Sequence, residues 1–184
     1  EKCQFKGPAM KPSVVLKNHH LDTSQWDDIP VVDSDIFINT PAKAGTTWTQ
    51  EIVCQLLYNG DYSAVGSAAM ELSIWAAMRL PSREQKVATM EGQRQNPLIP
   101  RRVIKTHEPV ESLPFRPECK YLFVGRDFRD IVWSWYRHHS NFKPEMISML
   151  NAPAHFDFTP LPDFNFSDGL FRAELCARNR VHEM

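Results

Sequence analysis

The fold of this chain is decided by the stretch Phe37-Ile-Asn-Thr-Pro-Ala-Lys-Ala-Gly-Thr-Thr-Trp48. Its first half belongs to an apolar run over residues 35–39, which predicts a buried β-strand. Its second half opens an amphipathic helix, and a short loop with Lys43, Gly45 and two threonine hydroxyls joins the two. Such a turn directs unpaired backbone amides and the positive end of a helix dipole at one point. The stretch therefore predicts a site for a phosphate or sulfate group.

A purely structural interpretation of the same loop is open at this stage. Glycine and threonine occur at many strand–loop–helix junctions, because threonine is a good helix cap. The P-loop pattern of ATPases and GTPases is not matched, since no Gly-Lys-Ser/Thr follows a spaced glycine. The rest of the chain has to distinguish an anion site from a plain helix start.

Composition restricts the classes of function. The chain has 184 residues, of which 42% are hydrophobic and 23% are charged, and this favours one globular domain. The net charge of −1 gives no basic field for nucleic acid. We find no apolar run of the roughly 20 residues that span a bilayer and no signal-peptide pattern. Four scattered cysteines lack metal or redox spacing. We expect no membrane, nucleic acid or metal, and a cytoplasmic location.

Hydrophobic periodicity predicts the remaining elements. Helices are expected over residues 47–60, 67–80 and 82–92 and from Asp127 onward, with Ser82 and Asp127 as N-caps. Strands are expected over 102–106 and 121–125. Trp26 and Ile29 are expected to anchor the irregular first 33 residues. Beyond Lys143, prolines alternate with aromatic residues, which predicts a loop or lid. We therefore expect a single domain over 1–184, with a core over 34–143 and a loop-rich segment over 144–184.

Basic side chains follow all three predicted strands. Lys43 follows the first strand, Lys105 and His107 lie at the second, and Arg126 follows the third. Strands joined by helices or long connections tend to be parallel, and open α/β sheets bind ligands at the carboxyl ends of their strands. We expect these four side chains to meet at one edge of the sheet, around a strongly anionic ligand.

At this point the motifs resemble a known family, the cytosolic-type sulfotransferases. Lys43-Ala-Gly-Thr-Thr-Trp48 resembles the 5′-phosphosulfate loop of that family, commonly written T-Y-P-K-S-G-T-T-W. Lys105-Thr-His107 is similar to its K-T-H catalytic segment, and residues 121–136 resemble its 3′-phosphate-binding strand and helix. Three motifs in the right order cover residues 35 to about 143. The chain is therefore identified as a member of this family.

The resemblance implies a P-loop-like, three-layer α/β fold with a mainly parallel central sheet flanked by helices. It also implies binding of 3′-phosphoadenosine 5′-phosphosulfate (PAPS) as sulfuryl donor, without a metal. By this resemblance, Lys43 and the amides of the loop would hold the 5′-phosphosulfate, Trp48 would pack near the adenine, and Arg126 with Ser134 would hold the 3′-phosphate. The cofactor-binding residues so implied are Lys43, Ala44, Gly45, Thr46, Thr47, Trp48, Arg126 and Ser134.

The implied catalytic residues are His107, Lys43 and Lys105. His107 would take a proton from an acceptor hydroxyl or amine, for which a pKa near 6.5 is suitable. Lys43 would stabilise charge on the leaving oxygen, and Lys105 would steady the sulfuryl oxygens. The acceptor is expected to be a small molecule, either a phenol, an alcohol, a steroid or an amine, and the sequence leaves both its identity and the oligomeric state open.

The sequence also departs from the family pattern. Pro41-Ala42 replaces the Tyr-Pro of the loop and Ala44 replaces its serine, so weaker contacts to the phosphosulfate are expected. No Arg-Lys-Gly clamp for the 3′-phosphate is present, and we expect the chain to be incomplete at its C-terminus. Two alternatives therefore stay open: a non-catalytic or truncated nucleotide-binding remnant, and a P-loop nucleotide kinase, which the missing Gly-Lys-Ser/Thr disfavours.

Overall fold

The computed structural model of the chain describes residues 9–18, 20–66 and 68–152. Two compact units divide it, Glu1–Gly125 and Arg126–Met184. Each unit is described separately below.

A parallel sheet forms the centre of the first unit. Its strands are β1 (Ile36–Asn39), β2 (Ser73–Trp75), β3 (Val103–Thr106) and β4 (Lys120–Phe123). The described strands lie in the order β2-β3-β1-β4, and every pairing is parallel. All four residues of β1 are buried, as expected for a central strand that is covered on both faces. The parallel sheet with its helices confirms the predicted α/β class.

The register of the sheet brings the strand ends together. Ile38 of β1 is the partner of Lys105 in β3, and Trp75 of β2 is the partner of Lys105 on the other side. Since paired residues of neighbouring strands project to the same face, the side chains of Trp75 and Lys105 lie beside each other. The loop after β1 and the segment after β3 therefore both begin at the carboxyl edge of the sheet.

The described part of the first unit contains three α-helices: α1 (Thr46–Leu57), α2 (Ala69–Leu72) and α3 (Arg83–Gln95). A capping box starts α3, because the Ser82 hydroxyl accepts from the Gln85 amide and the Gln85 side chain accepts from the Ser82 amide. This confirms the predicted cap. A short 3-10 helix, Thr23–Asp27, carries Trp26 into the main core, and Ile29 is also buried, so both predicted anchors are confirmed.

One predicted helix of the first unit is wrong. Residues 67–80 were expected to be helical, but α2 is a single turn and β2 follows it directly. Ile74 and Trp75 are β-branched and aromatic, and they pair with β3 in the sheet. Pairing with a neighbouring strand therefore overrides the local helical pattern, and local propensity cannot predict such a pairing.

The second unit contains two described helices, α4 (Phe128–His139) and α5 (Pro144–Asn151). Asp127 caps α4 by accepting a hydrogen bond from the Arg129 amide at 2.9 Å, as predicted. The loop prediction is wrong for residues 144–151, where Pro144 occupies the first turn of α5, a position that needs no backbone donor. The rest of the predicted lid, residues 153–184, lies outside the described residues.

Across the described ranges, no helix is long and apolar enough to cross a membrane.

Candidate functional site

The loop after β1 has an unusual backbone. Lys43 and Gly45 both have positive φ angles, 68° and 109°, and the Ala44 amide closes a turn onto the Pro41 carbonyl at 3.0 Å. Glycine reaches this region without strain, whereas lysine does so at a cost. A Cβ placed on Gly45 would meet no heavy atom within 4 Å, so the space above this residue is open. The loop therefore presents its backbone to an open space.

The start of α1 supplies the donors at this loop. Gly45 is the N-cap, and no side chain of the described residues makes a capping hydrogen bond there. The first amides of a helix have no partner within the helix, and its dipole favours an anion at this end. Thr47 and Trp48 are exposed in this first turn, and the Trp48 side chain is 77% exposed. Backbone amides and dipole together suit a phosphate or sulfate group.

The hydroxyl of Thr46 makes a hydrogen bond inside the protein. Thr46 is buried, and its Oγ1 lies 2.6 Å from Oγ1 of Thr40, so its side chain belongs to an internal hydrogen bond. Thr40 in turn contacts His107, with its Oγ1 3.5 Å from Nδ1 of the ring. Thr40 was not among the predicted site residues. The signal available was its place between β1 and the lysine of the loop.

His107 is oriented by the backbone of Thr40. Its Nδ1 lies 2.8 Å from the Thr40 carbonyl oxygen. A carbonyl oxygen can only accept, so Nδ1 carries the proton and donates it, which leaves the lone pair on Nε2. Burial lowers the pKa of His107 to about 4, and the charges of Lys105 and Lys43 act in the same direction against the opposing contact with Thr40. His107 is therefore a neutral imidazole with an accepting Nε2 near neutral pH.

Lys105 and His107 share a contact with Trp75. The Lys105 Nζ lies 4.5 Å from the centroid of the indole ring, and the His107 ring meets the indole edge-on at 4.7 Å between centroids. A cation over an indole face is stabilised by the ring quadrupole. Burial lowers the pKa of Lys105, and the charge of Lys43 lowers it further. Sequence periodicity assigned Trp75 to a helix, so this contact was not predicted.

The structure thus gathers part of the predicted site. Lys43, Lys105 and His107 lie close enough for the two lysines to lower the pKa of the histidine, all within the first unit. Ala44, a residue of the loop itself, is buried at 5% exposure. Nowhere in the described ranges do three or more His, Cys, Asp or Glu side chains gather so as to hold a metal ion.

Arg126 and Ser134 belong to the second unit. Arg126 Nε lies 3.5 Å from the Asp130 carboxylate, and both side chains are well exposed, so this ion pair contributes little to stability. Arg129 pairs with Asp127 at 3.1 Å. Ser134 is half-buried on α4. The meeting of Arg126 with Lys43 stays a prediction.

Comparison with known sequences identifies relatives for most of the chain. Residues 33–179 match the profile of the sulfotransferase domain. The glycolipid sulfotransferase of Mycobacterium bovis (strain BCG / Pasteur 1173P2) is 31% identical over 156 residues, which is 83% of this chain and 46% of that protein. Human sulfotransferase 1C2 is 30% identical over 140 residues, 72% of this chain and 43% of its own length. The chain thus spans less than half the length of these relatives.

Solved structures agree on the fold. The alignment with retinol dehydratase in complex with retinol and PAP covers 74% of this chain and 50% of the retinol dehydratase chain, with a TM-score of 0.51 and 18% identity. The same protein in complex with androsterone and the inactive cofactor PAP gives a TM-score of 0.50 at 17% identity. These likenesses concern the fold alone. From the domain match and from relatives at 30% identity or more, the chain belongs to the sulfotransferase domain family.

Proposed function

We propose that the chain acts in transfer of a sulfuryl group from PAPS to a hydroxyl or amine of a small-molecule acceptor, with His107 as general base. The observation that carries this proposal is the hydrogen bond from His107 Nδ1 to the Thr40 carbonyl at 2.8 Å. It leaves the basic Nε2 of a neutral ring beside Lys105 and beside the loop of Lys43. A base, two cations and an anion-binding helix start are the parts that such a transfer needs.

The residues of the loop fit the donor by their chemistry. The helix-start amides of Thr46, Thr47 and Trp48, together with the Lys43 ammonium, form a donor set for a phosphosulfate. The open space above Gly45 allows close approach to the backbone. Bound PAPS supplies an activated sulfuryl group.

Each side chain has a separate task in this proposal. Lys43 binds the anion and stabilises charge on the bridging oxygen, and Lys105 orients the sulfuryl oxygens. His107 accepts the acceptor's proton at Nε2, and the Thr40 carbonyl holds the resulting imidazolium through Nδ1. On sequence grounds Trp48 serves the adenine, and Arg126 and Ser134 serve the 3′-phosphate.

The acceptor proposed is a small alcohol, phenol, steroid or amine. Retinol and androsterone, the ligands of the structural relatives, carry a hydroxyl on a largely apolar body. A single domain over 1–184 and a cytoplasmic location complete the proposal.

The test is an assay with sulfur-labelled PAPS and a panel of phenols, alcohols, steroids and amines. We expect label in at least one acceptor, no loss of turnover with EDTA, and binding of 3′-phosphoadenosine 5′-phosphate (PAP) in calorimetry. The matched control for His107→Ala in this assay is His138→Ala, which changes an exposed histidine on α4. PAP binding without any labelled product would favour the nucleotide-binding remnant, and Mg²⁺-dependent phosphoryl transfer from ATP would favour the kinase.

A further inference from the structure

The residue after His107 is a buried acid that the proposed chemistry does not use. The side chain of Glu108 is 3% exposed, and its Oε2 accepts a hydrogen bond from the indole Nε1 of Trp26 at 3.1 Å. Its Oε1 is also buried and has no hydrogen-bond partner among the residues described. A buried carboxylate with an unsatisfied oxygen is strongly disfavoured, whereas a protonated carboxyl is tolerated. The site therefore favours the neutral acid.

Electrostatics support the same state. Burial raises the pKa of Glu108 to about 8, and three contacts oppose that rise: the Trp26 indole, the His107 backbone amide and the charge of Lys86. Glu108 also follows His107 directly in the chain, so its carboxyl group is attached to the backbone of the proposed base. A change in charge at Glu108 therefore acts directly on the residue that holds the imidazole.

Lys86 is the cation that faces this acid, from helix α3. Its Nζ donates to the Ala76 carbonyl at 3.0 Å and also to the Gln25 side chain and the Met78 carbonyl. Burial lowers the pKa of Lys86 to about 8, while the charges of Asp22 and Glu108 raise it and that of Arg83 lowers it further. Three acceptors keep the ammonium in place.

These contacts converge from distant parts of the sequence. Gln25 and Trp26 lie on the 3-10 helix Thr23–Asp27, Lys86 lies on α3, and Glu108 follows β3. The N-terminal segment is thus fastened one residue away from His107.

We propose that Glu108 is a positioning residue for His107: its carboxyl group ties the end of β3 to Trp26, and ionisation of that group shifts the His107 backbone. This inference rests on the proposed role of His107 as general base. It concerns a titration that is separate from that of the imidazole itself.

The first test follows the imidazole directly by NMR over pH 5–9.5 in the whole chain, with the His107 signal assigned by its absence in His107→Ala. We expect the Cε1–H resonance of the wild type to shift with a midpoint near pH 8, well separated from its own protonation near pH 4. Glu108→Gln should remove that shift, because an amide keeps an acceptor for Trp26 and cannot ionise. Glu111→Gln, an identical change at an exposed acid three residues away, should keep it.

A second variant covers the case in which Glu108→Gln fails to fold. The indole N–H of Trp26 favours the charged carboxylate of Glu108. Trp26→Phe removes this donor, so the midpoint should move to higher pH. A shift near pH 8 that persists in Glu108→Gln would overturn the proposal, because Lys86 would then be its source. An unchanged midpoint in Trp26→Phe would overturn it as well.

Turnover separates this inference from the proposed function. Where an acceptor is sulfated, kcat of the wild type should fall above pH 8 and that of Glu108→Gln should not, with KM for PAPS alike in both. If no acceptor is sulfated but the NMR shift disappears in Glu108→Gln, the positioning contact stands and the sulfotransferase activity fails. Sulfation with an NMR shift that Glu108→Gln retains would keep the function and reject the contact.

Discussion

The amino and carboxyl ends of strands β1 and β3 differ in how their charged side chains are paired. At the amino end, Arg102 donates to both oxygens of Asp35 at 2.8 and 2.7 Å, and the pair is 3% and 0% exposed. Arg102 also donates to the carbonyls of Pro30 and Met90, so that the buried charges are paired and hydrogen-bonded. At the carboxyl end, Lys105 lies against the indole of Trp75, and its pKa is lowered by burial and by Lys43.

The difference shows that short strands can have a paired buried charge at one end and neighbouring cations at the other. A buried pair in which every guanidinium nitrogen donates a hydrogen bond fixes the alignment of β1 with β3, although it need not exceed an apolar pair in stability. The charge of Lys43 lowers the pKa of Lys105, so the two cations are unfavourable beside each other, and a bound anion removes that repulsion. We therefore propose that the carboxyl end serves an anionic ligand, whereas the amino end serves the fold.

The largest effect is expected at the carboxyl end, from His107→Ala. Turnover should fall by about 10²–10⁴-fold, the usual contribution of a general base, while PAP affinity stays nearly unchanged because His107 acts on the acceptor. Steady-state assays and calorimetry measure the two quantities. A variant that kept most of its turnover would show that the base assignment is wrong, whatever the family.

The matching effect at the amino end is on folding. Arg102→Met leaves the Asp35 carboxylate buried without its cation, and the free energy of unfolding should fall by about 3–5 kcal/mol in urea titrations. The double variant Asp35→Leu/Arg102→Met should recover most of the loss. Arg116→Met is the control, because its pair with Asp33 is exposed on both sides and should matter by less than about 1 kcal/mol. Equal losses in the two arginine variants would contradict the comparison.

Lys43→Ala should weaken both binding and turnover. A charge-assisted hydrogen bond contributes about 1.5–3 kcal/mol, so PAP affinity should fall roughly 10–100-fold, with a loss of turnover as well. Lys43→Gly is the informative partner, since glycine also relieves the left-handed backbone at this position. If the glycine variant bound PAP as the wild type does, the loop backbone rather than the ammonium would be what holds the anion.

Trp75→Leu should have a smaller effect. It removes the ring under Lys105 and beside His107 while keeping an apolar side chain in β2. A cation–π contact contributes about 0.5–2 kcal/mol, so kcat should fall by roughly 3–30-fold. Trp75→Phe keeps an aromatic face and should lose less. Equal losses in the leucine and phenylalanine variants would remove the cation–π contact as the cause.

The last effect concerns acid stability and appears only as the pH falls below 6.5. The folded pKa of His107, about 4, lies below its ordinary value of 6.5, so the unfolded chain takes up the proton first. Its contribution to stability is therefore fully present above pH 6.5 and is lost as the pH falls through 4. The difference in urea midpoint between wild type and His107→Gln should change across this window. A constant difference from pH 7 to pH 4 would show that His107 is not buried as described.

Local sequence patterns predicted a large part of the fold and of the candidate site. The strand over residues 35–39, the loop with Lys43 and Gly45, and the caps Ser82 and Asp127 depend on neighbours within a few residues, and the structure has all of them. The three motifs in order also pointed to the family. The roles of individual site residues stay predictions, as does the placement of Arg126 and Ser134 at the nucleotide.

Tertiary structure decided what depends on partners far along the chain. Whether Trp75 lies on a helix or a strand was set by β3, about 30 residues later, because strand pairing outweighs local propensity. The proton on His107 was set by the Thr40 carbonyl, and its low pKa by burial, neither of which is written in Lys-Thr-His. The order of residues specifies which chemical groups are present and where they follow the strands. Packing of the sheet specifies which of these groups touch and which protonation state each of them has.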